Sequence, residues 1–529
     1  MHRVRMLYLL THAVDRAADR APGHPAIRFN GQTLLYGDLS ARSNQLAHAL
    51  IDHGVRRGDR VGIFMPKRLE GAIAIHGTMK AGAAYVPIDP AAPPSRIAFI
   101  LRDCEIRHVV TEFGRLSALG QATADGVALE AVFGVDSTDG CAVSAISWDD
   151  VATAPATLPP TATMEQDLAY ILYTSGSTGV PKGVMHTHRS ALSFAEIAVR
   201  AYGLYAGDRL SNHAPLHFDL STLDYFAGAV AGATTVVIPE SHTKLPASLS
   251  KLMQDERLTV LYAVPFALVQ LLLHGALDKR ELPDLRWVLF GGEPFPPKHL
   301  RALMTALPQA RFVNIYGPTE VNGVTHYPIP PLTADDSAIP IGQPYGNVEM
   351  MIADENDQPV APGEAGLLLI RSPTMMRGYW RRPDLNARAF FRRPAFDLYE
   401  DVFHRTGDLV QEGPDGNLDF LGRKDRQIKV RGYRVELDEI EAALLQHEAV
   451  EAAAAFPVPE PDGSQHIEAA AVLRAGGEAE AGELMRYAAS HLPPYAVPER
   501  VAILREFPRT STDKIDRLRL QAMATGASA

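Results

Sequence analysis

Short apolar runs that alternate with helical segments are the feature that most restricts the fold of this chain. The runs RVGIFMP (60–66) and AYVPID (84–89) have the length and composition of buried strands, and EGAIAIHGTMKAG (70–82) between them is typical of a helix. The pattern returns over 259–317, where the runs TVLYAVP, WVLFGGE and RFVNIYG are separated by helical sequence. This alternation predicts an α/β fold with parallel sheets covered by helices. Ligands are expected in the loops that follow the strands.

The pattern changes after about Pro328 and again at GRKDRQ (422–427). Turn residues between the apolar runs of 349–373 predict a β-hairpin. The segment IKVRGYRVEL (428–437) alternates as strands do, and 438–450 carries a helical apolar stripe. We therefore expect a large N-terminal domain that includes a β-subdomain, followed by a small α+β C-terminal domain.

The composition argues against several classes of protein. Acidic residues outnumber basic ones by 62 to 51, and the net charge of −11 disfavours nucleic-acid binding as the main function. Cys104 and Cys141 are far apart and predict neither a disulfide framework nor a zinc site. The start of the chain favours an amphipathic helix over a signal peptide, because Thr11 and His12 interrupt its short apolar run. Without a run of about 18 apolar residues, a cytoplasmic enzyme is the expectation.

The segment TSGSTGVPKG (174–183) suggests a phosphate-binding loop between an apolar run and a helical segment. It is not a Walker loop, because Pro181 stands five positions after Gly176 and Gly183 follows Lys182. Its glycines let the backbone approach an anion, and its hydroxyls and lysine suit phosphates. A surface turn is the alternative. The candidate phosphate-binding residues are Thr174, Ser175, Gly176, Ser177, Thr178, Gly179 and Lys182.

This loop closely resembles the phosphate-loop signature of the adenylate-forming superfamily, which contains acyl-CoA synthetases, luciferases and the adenylation domains of nonribosomal peptide synthesis. Other matches to family motifs follow in order along nearly the whole chain. They are MKAGAAYVPIDP (79–90), FDLS (218–221), NIYGPTE (314–320), RTGDL (405–409), GRKDRQIKVRGYRVELDEIE (422–441), LPPYAVP (492–498) and STDKIDR (511–517). The residues of these motifs resemble those of stand-alone amino acid adenylation enzymes of the peptide-synthetase branch.

The resemblance implies that a carboxylate attacks the α-phosphorus of ATP, in the presence of Mg²⁺, to give an acyl adenylate and pyrophosphate. Catalysis of such a step is mostly positioning and electrostatic stabilisation. The acyl group then passes to a thiol. A Gly-Gly-x-Ser carrier signature is missing from the sequence, so a separate carrier protein with a phosphopantetheine arm is the expected partner. An acyl-CoA synthetase and a non-catalytic nucleotide-binding relative are the alternatives.

The resemblance also assigns roles to individual residues. Tyr316 and Asn314 would contact adenine, Gly317 lies in the same turn, Thr319 would bind the α-phosphate and Glu320 would hold Mg²⁺. Asp408 and Arg423 would contact the ribose, and Lys514 would bridge the attacking carboxylate and the phosphoryl oxygens.

Asp425 matches the family's hinge, which divides the chain into 1–424 and a mobile domain of 425–529. In one orientation of the small domain Lys514 enters the site. In the other, the hairpin segment that contains Lys429 faces the site when the thiol arrives.

Asp219 matches the aspartate that pairs with the α-ammonium of an amino acid. A carboxylate in a largely apolar pocket is costly unless a cation meets it; a helix N-cap is the alternative role. A β-amino acid would place its amine differently, with Asp224 as the alternative partner. The family's pocket positions fall on Asp219, Leu220, Leu223, Tyr262, Leu289, Gly291, Ile315, Gly323 and Val324. The start of this set resembles prolyl-adenylating enzymes, and its apolar character favours proline or another small apolar amino acid.

Overall fold

A computed structural model of the protein describes residues 6–124, 126–137, 143–176, 180–333, 338–509 and 515–525. Two large sheets, a smaller antiparallel sheet and a C-terminal α+β unit make up these residues.

The first large sheet has eight strands and is mostly parallel. In spatial order the strands are Gly378–Tyr379, Lys182–Thr187, Leu168–Thr174, Ala84–Pro87, Arg60–Phe64, His108–Thr111, Ala131–Phe133 and Ser144–Ile146. Pairing is parallel from Leu168–Thr174 onward and antiparallel at the other edge. The central strands are buried along their length, which explains their continuous apolar sequence.

The second large sheet has nine strands and carries much of the candidate site. In spatial order they are Gln343–Pro344, Thr325–Pro328, Arg311–Tyr316, Trp287–Gly291, Val260–Ala263, Arg209–Asn212, Thr234–Val237, Pro25–Phe29 and Gln32–Leu35. The six strands from Arg311–Tyr316 to Pro25–Phe29 pair in parallel. Their carboxyl ends therefore open toward the same edge.

Helices cover both large sheets. They are Thr11–Arg20, Tyr36–Asp52, Leu69–Lys80, Pro94–Asp103, Leu116–Ala124, Trp148–Ala152, His188–Tyr202, Leu220–Thr222, Gly228–Ala231, Glu240–Lys244, Pro246–Asp255, Pro265–His274, Pro297–Ala306 and Pro383–Ala389. A π turn at Leu223–Ala227 joins two of them. Several begin with proline in the first turn, where its missing N–H costs nothing.

The antiparallel sheet follows the second large sheet in the chain. Its strands are Glu349–Ala353, Gly366–Arg371, Phe390–Phe396, Tyr399–Glu412 and Leu418–Arg423. Glu349 pairs with Arg371 in register, so the hairpin predicted over 349–373 is confirmed.

The C-terminal unit has its own apolar core. It contains the strands Gln427–Val430 and Tyr433–Glu436, which we call the site hairpin, the helix Leu437–Leu445, a sheet of Val450–Pro459, Gln465–Leu473 and Arg500–Leu504, and the helices Ala481–Ala489 and Arg517–Thr525. Ile440 and Leu444 are fully buried in that core. The predicted helix of 438–450 ends earlier, at Leu445, because the strand Val450–Pro459 follows closely.

The predicted fold class, an α/β protein with parallel-rich sheets, a β-subdomain and a small α+β unit, is confirmed. The proposed boundary at 424/425 falls between the strands Leu418–Arg423 and Gln427–Val430. In the described part of the chain, every helix is too short or too polar to cross a membrane.

Candidate active site

A cavity of about 390 Å³ lies where the second large sheet meets the site hairpin. The strand ends at Tyr262, Gly292 and Tyr316 open into it, as expected for parallel strands. Residues of the glycine-rich loop, of the 217–220 segment and of the hairpin complete its wall. The cavity therefore combines elements that are more than 250 residues apart in the chain.

The glycine-rich loop begins at the end of the strand Leu168–Thr174, and Thr174 and Ser175 line the cavity. Ser175 Oγ donates a hydrogen bond to the carbonyl oxygen of Arg434 at 2.9 Å. A Cβ on Gly176 would lie 1.9 Å from the carbonyl oxygen of Val180, so this turn needs glycine. Ser177, Thr178 and Gly179, also predicted to bind phosphate, lie outside the described residues.

Lys182 begins the strand that follows this loop. Its Nζ lies 3.7 Å from Glu320 Oε1 and 4.9 Å from the ring centroid of Tyr379. Burial lowers the pKa of the Lys182 ammonium to about 8, and the Arg434 guanidinium acts in the same direction. The lysine therefore lies beside the predicted magnesium ligand.

The segment 314–320 contributes the proposed adenine and phosphate contacts. Asn314, Tyr316, Gly317 and Thr319 line the cavity. Asn314 Nδ2 donates to the carbonyl oxygen of Pro340 at 2.8 Å, which fixes the orientation of its amide. A Cβ on Gly317 would lie 1.6 Å from the carbonyl oxygen of Asn322, so the tight turn requires glycine here.

The predicted ribose contacts and the predicted hinge form one cluster. Asp408 and Arg423 are register partners on neighbouring strands. The Asp408 carboxylate accepts hydrogen bonds from the Tyr316 hydroxyl and from Arg423. Arg423 also donates from Nε and Nη2 to the two carboxylate oxygens of Asp425, both at 2.6 Å. One guanidinium therefore connects the proposed ribose carboxylate to the proposed hinge.

Glu320 is the most tightly held carboxylate of the site, with 1% of its side chain exposed. Arg434 Nη1 donates to both of its oxygens, at 2.7 and 2.9 Å, and the Tyr379 hydroxyl donates to Oε1 at 2.8 Å. Burial alone would raise the pKa of Glu320, but the Arg434 guanidinium and the Lys182 ammonium hold this pKa well below its usual range. Glu320 is therefore ionised in this fold.

The donor set around Glu320 fits a magnesium ion that is shared with a nucleotide. Groups of three or more His, Cys, Asp or Glu side chains suited to a metal are absent from the described residues. Mg²⁺ commonly binds one or two carboxylates together with substrate phosphates and waters. A single ionised carboxylate beside the glycine-rich loop is compatible with that requirement.

His186 supports the loop that carries Thr319 and Glu320. Its Nε2 donates to the Thr319 carbonyl oxygen at 2.8 Å, and its Nδ1 lies 3.1 Å from Ser190 Oγ. Burial lowers the pKa of His186 to about 4, so the ring is neutral and can hold both contacts. Sequence reasoning missed this residue, which stands as an ordinary position of a buried strand.

Asp219 lines the cavity beside apolar side chains. It directly precedes the helix Leu220–Thr222, yet among the described residues its side chain makes no N-cap hydrogen bond. Burial raises the pKa of Asp219, while the Lys429 ammonium and the Thr319 hydroxyl act in the opposite direction. The N-cap alternative therefore lacks its hydrogen bond, and a cation in the cavity would stabilise the charged carboxylate.

The predicted pocket residues divide into two groups. Asp219, Leu220, Tyr262, Ile315 and Gly323 line the cavity. The others, Leu223, Leu289, Gly291 and Val324, are buried in the core behind its wall.

Two glycines of this set have different surroundings. A Cβ on Gly291 would lie 2.1 Å from the carbonyl oxygen of Ile315, so Gly291 serves the close approach of two strands. A Cβ on Gly323 would lie 2.6 Å from Phe194 Cε2. Phe194, which the sequence did not single out, therefore fills the space that Gly323 leaves in the cavity wall.

Asp224, the alternative amine partner, is fully buried rather than part of the cavity lining. Its Oδ2 accepts a hydrogen bond from Asn212 Nδ2 at 3.1 Å, and Oδ1 has no hydrogen-bond partner within the described parts of the chain. Burial raises the pKa of Asp224 well above its ordinary value.

The site hairpin enters the cavity in this structure. Lys429, Gly432 and Arg434 line it. The Gly432 N–H donates to Glu293 Oε2 at 2.8 Å, and the ring of Tyr433 meets that of Phe218 at a centroid distance of 4.8 Å. This arrangement has the hairpin inward, as expected for one of the two orientations. Lys514, predicted for the other, lies outside the described residues.

Comparisons with known proteins agree with this architecture. The model of the AMP-binding enzyme family matches residues 14–380, and that of the AMP-binding enzyme C-terminal domain matches 439–514. A structure of the amide bond synthetase McbA from Marinactinospora thermotolerans superposes with a TM-score of 0.84 at 27% identity, over 97% of this chain and 99% of that one.

Two curated relatives are similar in sequence. An L-proline--[L-prolyl-carrier protein] ligase from Pseudomonas fluorescens is 35% identical over 98% of this chain and 100% of its own length. A linear gramicidin synthase from Brevibacillus parabrevis is 37% identical over 96% of this chain, which spans 6% of that much longer protein. The resemblance to adenylate-forming enzymes is confirmed, and the chain belongs to the family of AMP-binding enzymes.

Proposed function

We propose that this protein uses ATP and Mg²⁺ to activate an amino acid as an aminoacyl adenylate, releasing pyrophosphate. It then transfers the aminoacyl group from the adenylate to the phosphopantetheine thiol of a carrier protein, forming a thioester and releasing AMP. The observation that carries the proposal is the presence of Asp219, Thr319 and Asp408 around one cavity. Together they offer a contact for an ammonium group, one for a phosphate and one for a ribose.

The nucleotide would lie against the ends of the strands. Asp408, held by Tyr316 and Arg423, presents its carboxylate to the ribose hydroxyls. Thr319 presents its hydroxyl to the α-phosphate, and its carbonyl is fixed by His186. Mg²⁺ on Glu320 would neutralise phosphate charge, and the loop from Thr174 would hold the pyrophosphate part of ATP. These groups preorganise the charges that the first half-reaction requires.

The amine is the feature that points to an amino acid. Burial raises the pKa of Asp219, although the Lys429 ammonium of the docked hairpin opposes this rise, and a buried carboxylate is costly unless a cation contacts it directly. An ammonium group within hydrogen-bond distance would favour the charged form. The substrate's side chain would be surrounded by apolar groups, which suits proline or another small apolar amino acid. These groups are Leu220, Tyr262, Ile315 and Phe194. The names of relatives that ligate L-proline to a carrier protein support the same choice.

The thiol step would use the orientation seen here. Lys429 and Gly432 line the cavity with the hairpin inward, and we propose a rotation about Asp425 that exchanges this hairpin for Lys514. In the first orientation Lys514 would bridge the carboxylate and the phosphoryl oxygens. The carrier protein is proposed from the relatives' names, and coenzyme A is the competing thiol.

Pyrophosphate exchange with a panel of α-amino, β-amino and amine-free acids tests the proposal. Exchange should depend on a small apolar α-amino acid. Asp219→Asn should raise its KM by tenfold or more, since hydrogen bonds to charged groups contribute about 1.5–3 kcal/mol. Asp224→Asn is the matched variant behind the wall and should change the KM for α-amino acids far less. Exchange restricted to acids without an amine would refute the assignment, and a specific effect of Asp224→Asn on β-amino acids would favour that alternative.

A loading assay separates the carrier protein from coenzyme A. Radiolabelled amino acid should appear on a phosphopantetheinylated carrier protein in an ATP-dependent manner. Equal or faster transfer to coenzyme A alone would identify an acyl-CoA synthetase instead.

A further inference from the structure

Glu320, the proposed magnesium ligand, is held in this structure by a cation of the site hairpin. A metal-binding carboxylate must direct its oxygens to the ion, and here both oxygens accept hydrogen bonds from Arg434 Nη1, at 2.7 and 2.9 Å. Arg434 belongs to the site hairpin, whereas Glu320 follows the strand Arg311–Tyr316 of the large sheet. The contact therefore exists only while the hairpin is docked.

Arg434 also reaches the phosphate loop. Its carbonyl oxygen accepts the hydrogen bond from Ser175 Oγ at 2.9 Å. One residue of the hairpin thus contacts both the proposed magnesium ligand and the loop proposed to hold pyrophosphate. The hairpin is fixed there from two further sides, by Glu293 on Gly432 and by the Phe218 ring on Tyr433.

Electrostatic repulsion opposes simultaneous contact of Arg434 and Mg²⁺ with the oxygens of Glu320. A guanidinium and a divalent cation on the same carboxylate oxygens repel each other strongly at such distances. Conversely, Glu320 with neither cation would be a buried carboxylate, with Tyr379 as a neutral donor and Lys182 Nζ at 3.7 Å. Leaving a buried charge without its close partner is expensive. Each arrangement of the site therefore needs a cation in direct contact with the Glu320 oxygens in addition to the more distant Lys182 ammonium, and Arg434 and the metal compete for that position.

We propose that Arg434 is the counter-ion that replaces magnesium on Glu320 when the hairpin docks. Docking of the hairpin and binding of magnesium pyrophosphate are then mutually exclusive. Metal and pyrophosphate therefore leave before the thiol-accepting arrangement is complete. Their departure suppresses reversal of adenylate formation. This inference rests on the proposed role of Glu320 as magnesium ligand.

Coupling between two binding events is reciprocal. If Arg434 opposes the metal, magnesium pyrophosphate must also displace the hairpin. The orientation of the small domain can therefore report the exchange without any measurement of activity. Two exposed positions suit a pair of fluorophores, introduced through Leu398→Cys and Glu478→Cys. Leu398 is fully exposed in the turn between the strands Phe390–Phe396 and Tyr399–Glu412, and Glu478 is exposed in the C-terminal unit. Cys141→Ser removes a competing thiol.

Resonance energy transfer is followed while magnesium pyrophosphate is titrated into the labelled full chain. In the wild-type background the signal should change with a defined midpoint. Arg434→Gln should lower that midpoint by about 5- to 150-fold, the usual range for coupled sites. Arg434→Lys, which keeps a charge without the two-oxygen contact, should lower it less. Arg486→Gln is the control, because Arg486 is an exposed arginine of the same domain, and it should leave the midpoint unchanged.

Glu320→Gln alone weakens both the proposed metal contact and the docking contact with Arg434, so it is made in the Arg434→Gln background. There the docking contact is already lost, and Glu320→Gln should raise the midpoint relative to Arg434→Gln. This rise together with a lowered midpoint in Arg434→Gln supports the exchange. The rise with a wild-type midpoint in both Arg434 variants overturns the exchange and leaves the magnesium role intact. Equal midpoints in Arg434→Gln and in the double variant overturn the magnesium role, and the exchange with it. Near-wild-type melting of Arg434→Lys ensures that a folded variant is compared.

Discussion

The ion pair between Arg96 and Glu439 provides a sharp test of the docked orientation. Arg96 lies on the helix Pro94–Asp103 of the large domain and Glu439 on the helix Leu437–Leu445 of the small one. Arg96 Nη1 and Glu439 Oε1 are 2.7 Å apart, and their side chains are 7% and 4% exposed. Ser95 Oγ donates to the carbonyl oxygen of Ser490 at 3.1 Å beside it. The pair therefore stabilises one relative position of the domains.

Glu439→Gln leaves the Arg96 guanidinium buried without its carboxylate. Removing one partner of a buried pair costs about 3–5 kcal/mol. The lower value applies here, because the contact is a single hydrogen bond and Glu439 Oε2 has no hydrogen-bond partner in the described segments. About 3 kcal/mol corresponds to roughly a 150-fold fall in the population of the docked orientation.

The two half-reactions should then separate. Amino acid-dependent pyrophosphate exchange should stay within about twofold of wild type, whereas single-turnover loading of the carrier protein should fall strongly. The double variant Arg96→Met/Glu439→Leu should recover much of the loss, because apolar replacements of buried pairs are often neutral or stabilising. Equal losses in both half-reactions, or no loss in loading, would refute the idea that this pair selects the docked orientation.

Three further variants test other parts of the structure. Phe194→Ala should open the cavity wall beside Gly323. Pyrophosphate exchange with larger apolar amino acids should then rise relative to exchange with proline by about 10-fold or more, because a methylene-sized change in a pocket contributes about 1–3 kcal/mol. An unchanged ratio of the kcat/KM values for the larger amino acid and for proline would show that Phe194 does not determine specificity. Gly291→Ala should lower the melting temperature, because its Cβ would lie 2.1 Å from the Ile315 carbonyl oxygen and overpacking costs about 1–3 kcal/mol; unaltered melting would contradict that strand packing. Burial lowers the pKa of Lys67 to about 7, so between pH 7 and 9 the unfolded chain binds more protons at this group than the folded chain does. The free energy of unfolding of wild type relative to Lys67→Met should therefore rise with pH, by up to about 1.4 kcal/mol per pH unit, and parallel pH profiles would exclude this contribution.

The fold was largely predictable because its signal is local. Buried parallel strands such as Arg60–Phe64 and His108–Thr111 must be apolar on both faces, and the helices between them must cover those faces. The loops that end such strands are then the expected place for a ligand. Thr174, Ser175 and the segment 314–319 meet at the cavity for that reason.

The depth of each pocket position was less predictable. Leu289 lies two residues before the end of its strand, and so beneath the cavity floor. Leu223 packs in the same core, and Val324 belongs to another apolar core, which it shares with Ile341 and with Leu368 of the antiparallel sheet. Motif position alone does not distinguish a side chain at the surface of a cavity from one just behind it.

Contacts between the domains were not predictable from the sequence. Glu320 and Arg434 are 114 residues apart, and no periodicity relates them. Their contact depends on how the C-terminal unit packs against the second large sheet rather than on local chain preferences. Phe194 was missed for a similar reason, because an aromatic residue on a covering helix has the same pattern whether it fills core or cavity wall.

Arg423 connects the carboxylate that is proposed to bind the ribose with the residue that is proposed as the hinge. A guanidinium holds its donors in a rigid plane, and this one serves Asp408 with Nη1 and Asp425 with Nε and Nη2. A backbone rotation at Asp425 would therefore move the Arg423 guanidinium, which also orients the Asp408 carboxylate proposed to bind the ribose. If the C-terminal unit takes the two proposed positions, the residence time of a bound nucleotide should consequently differ between them, and the rotation would then also control the rate at which AMP is released.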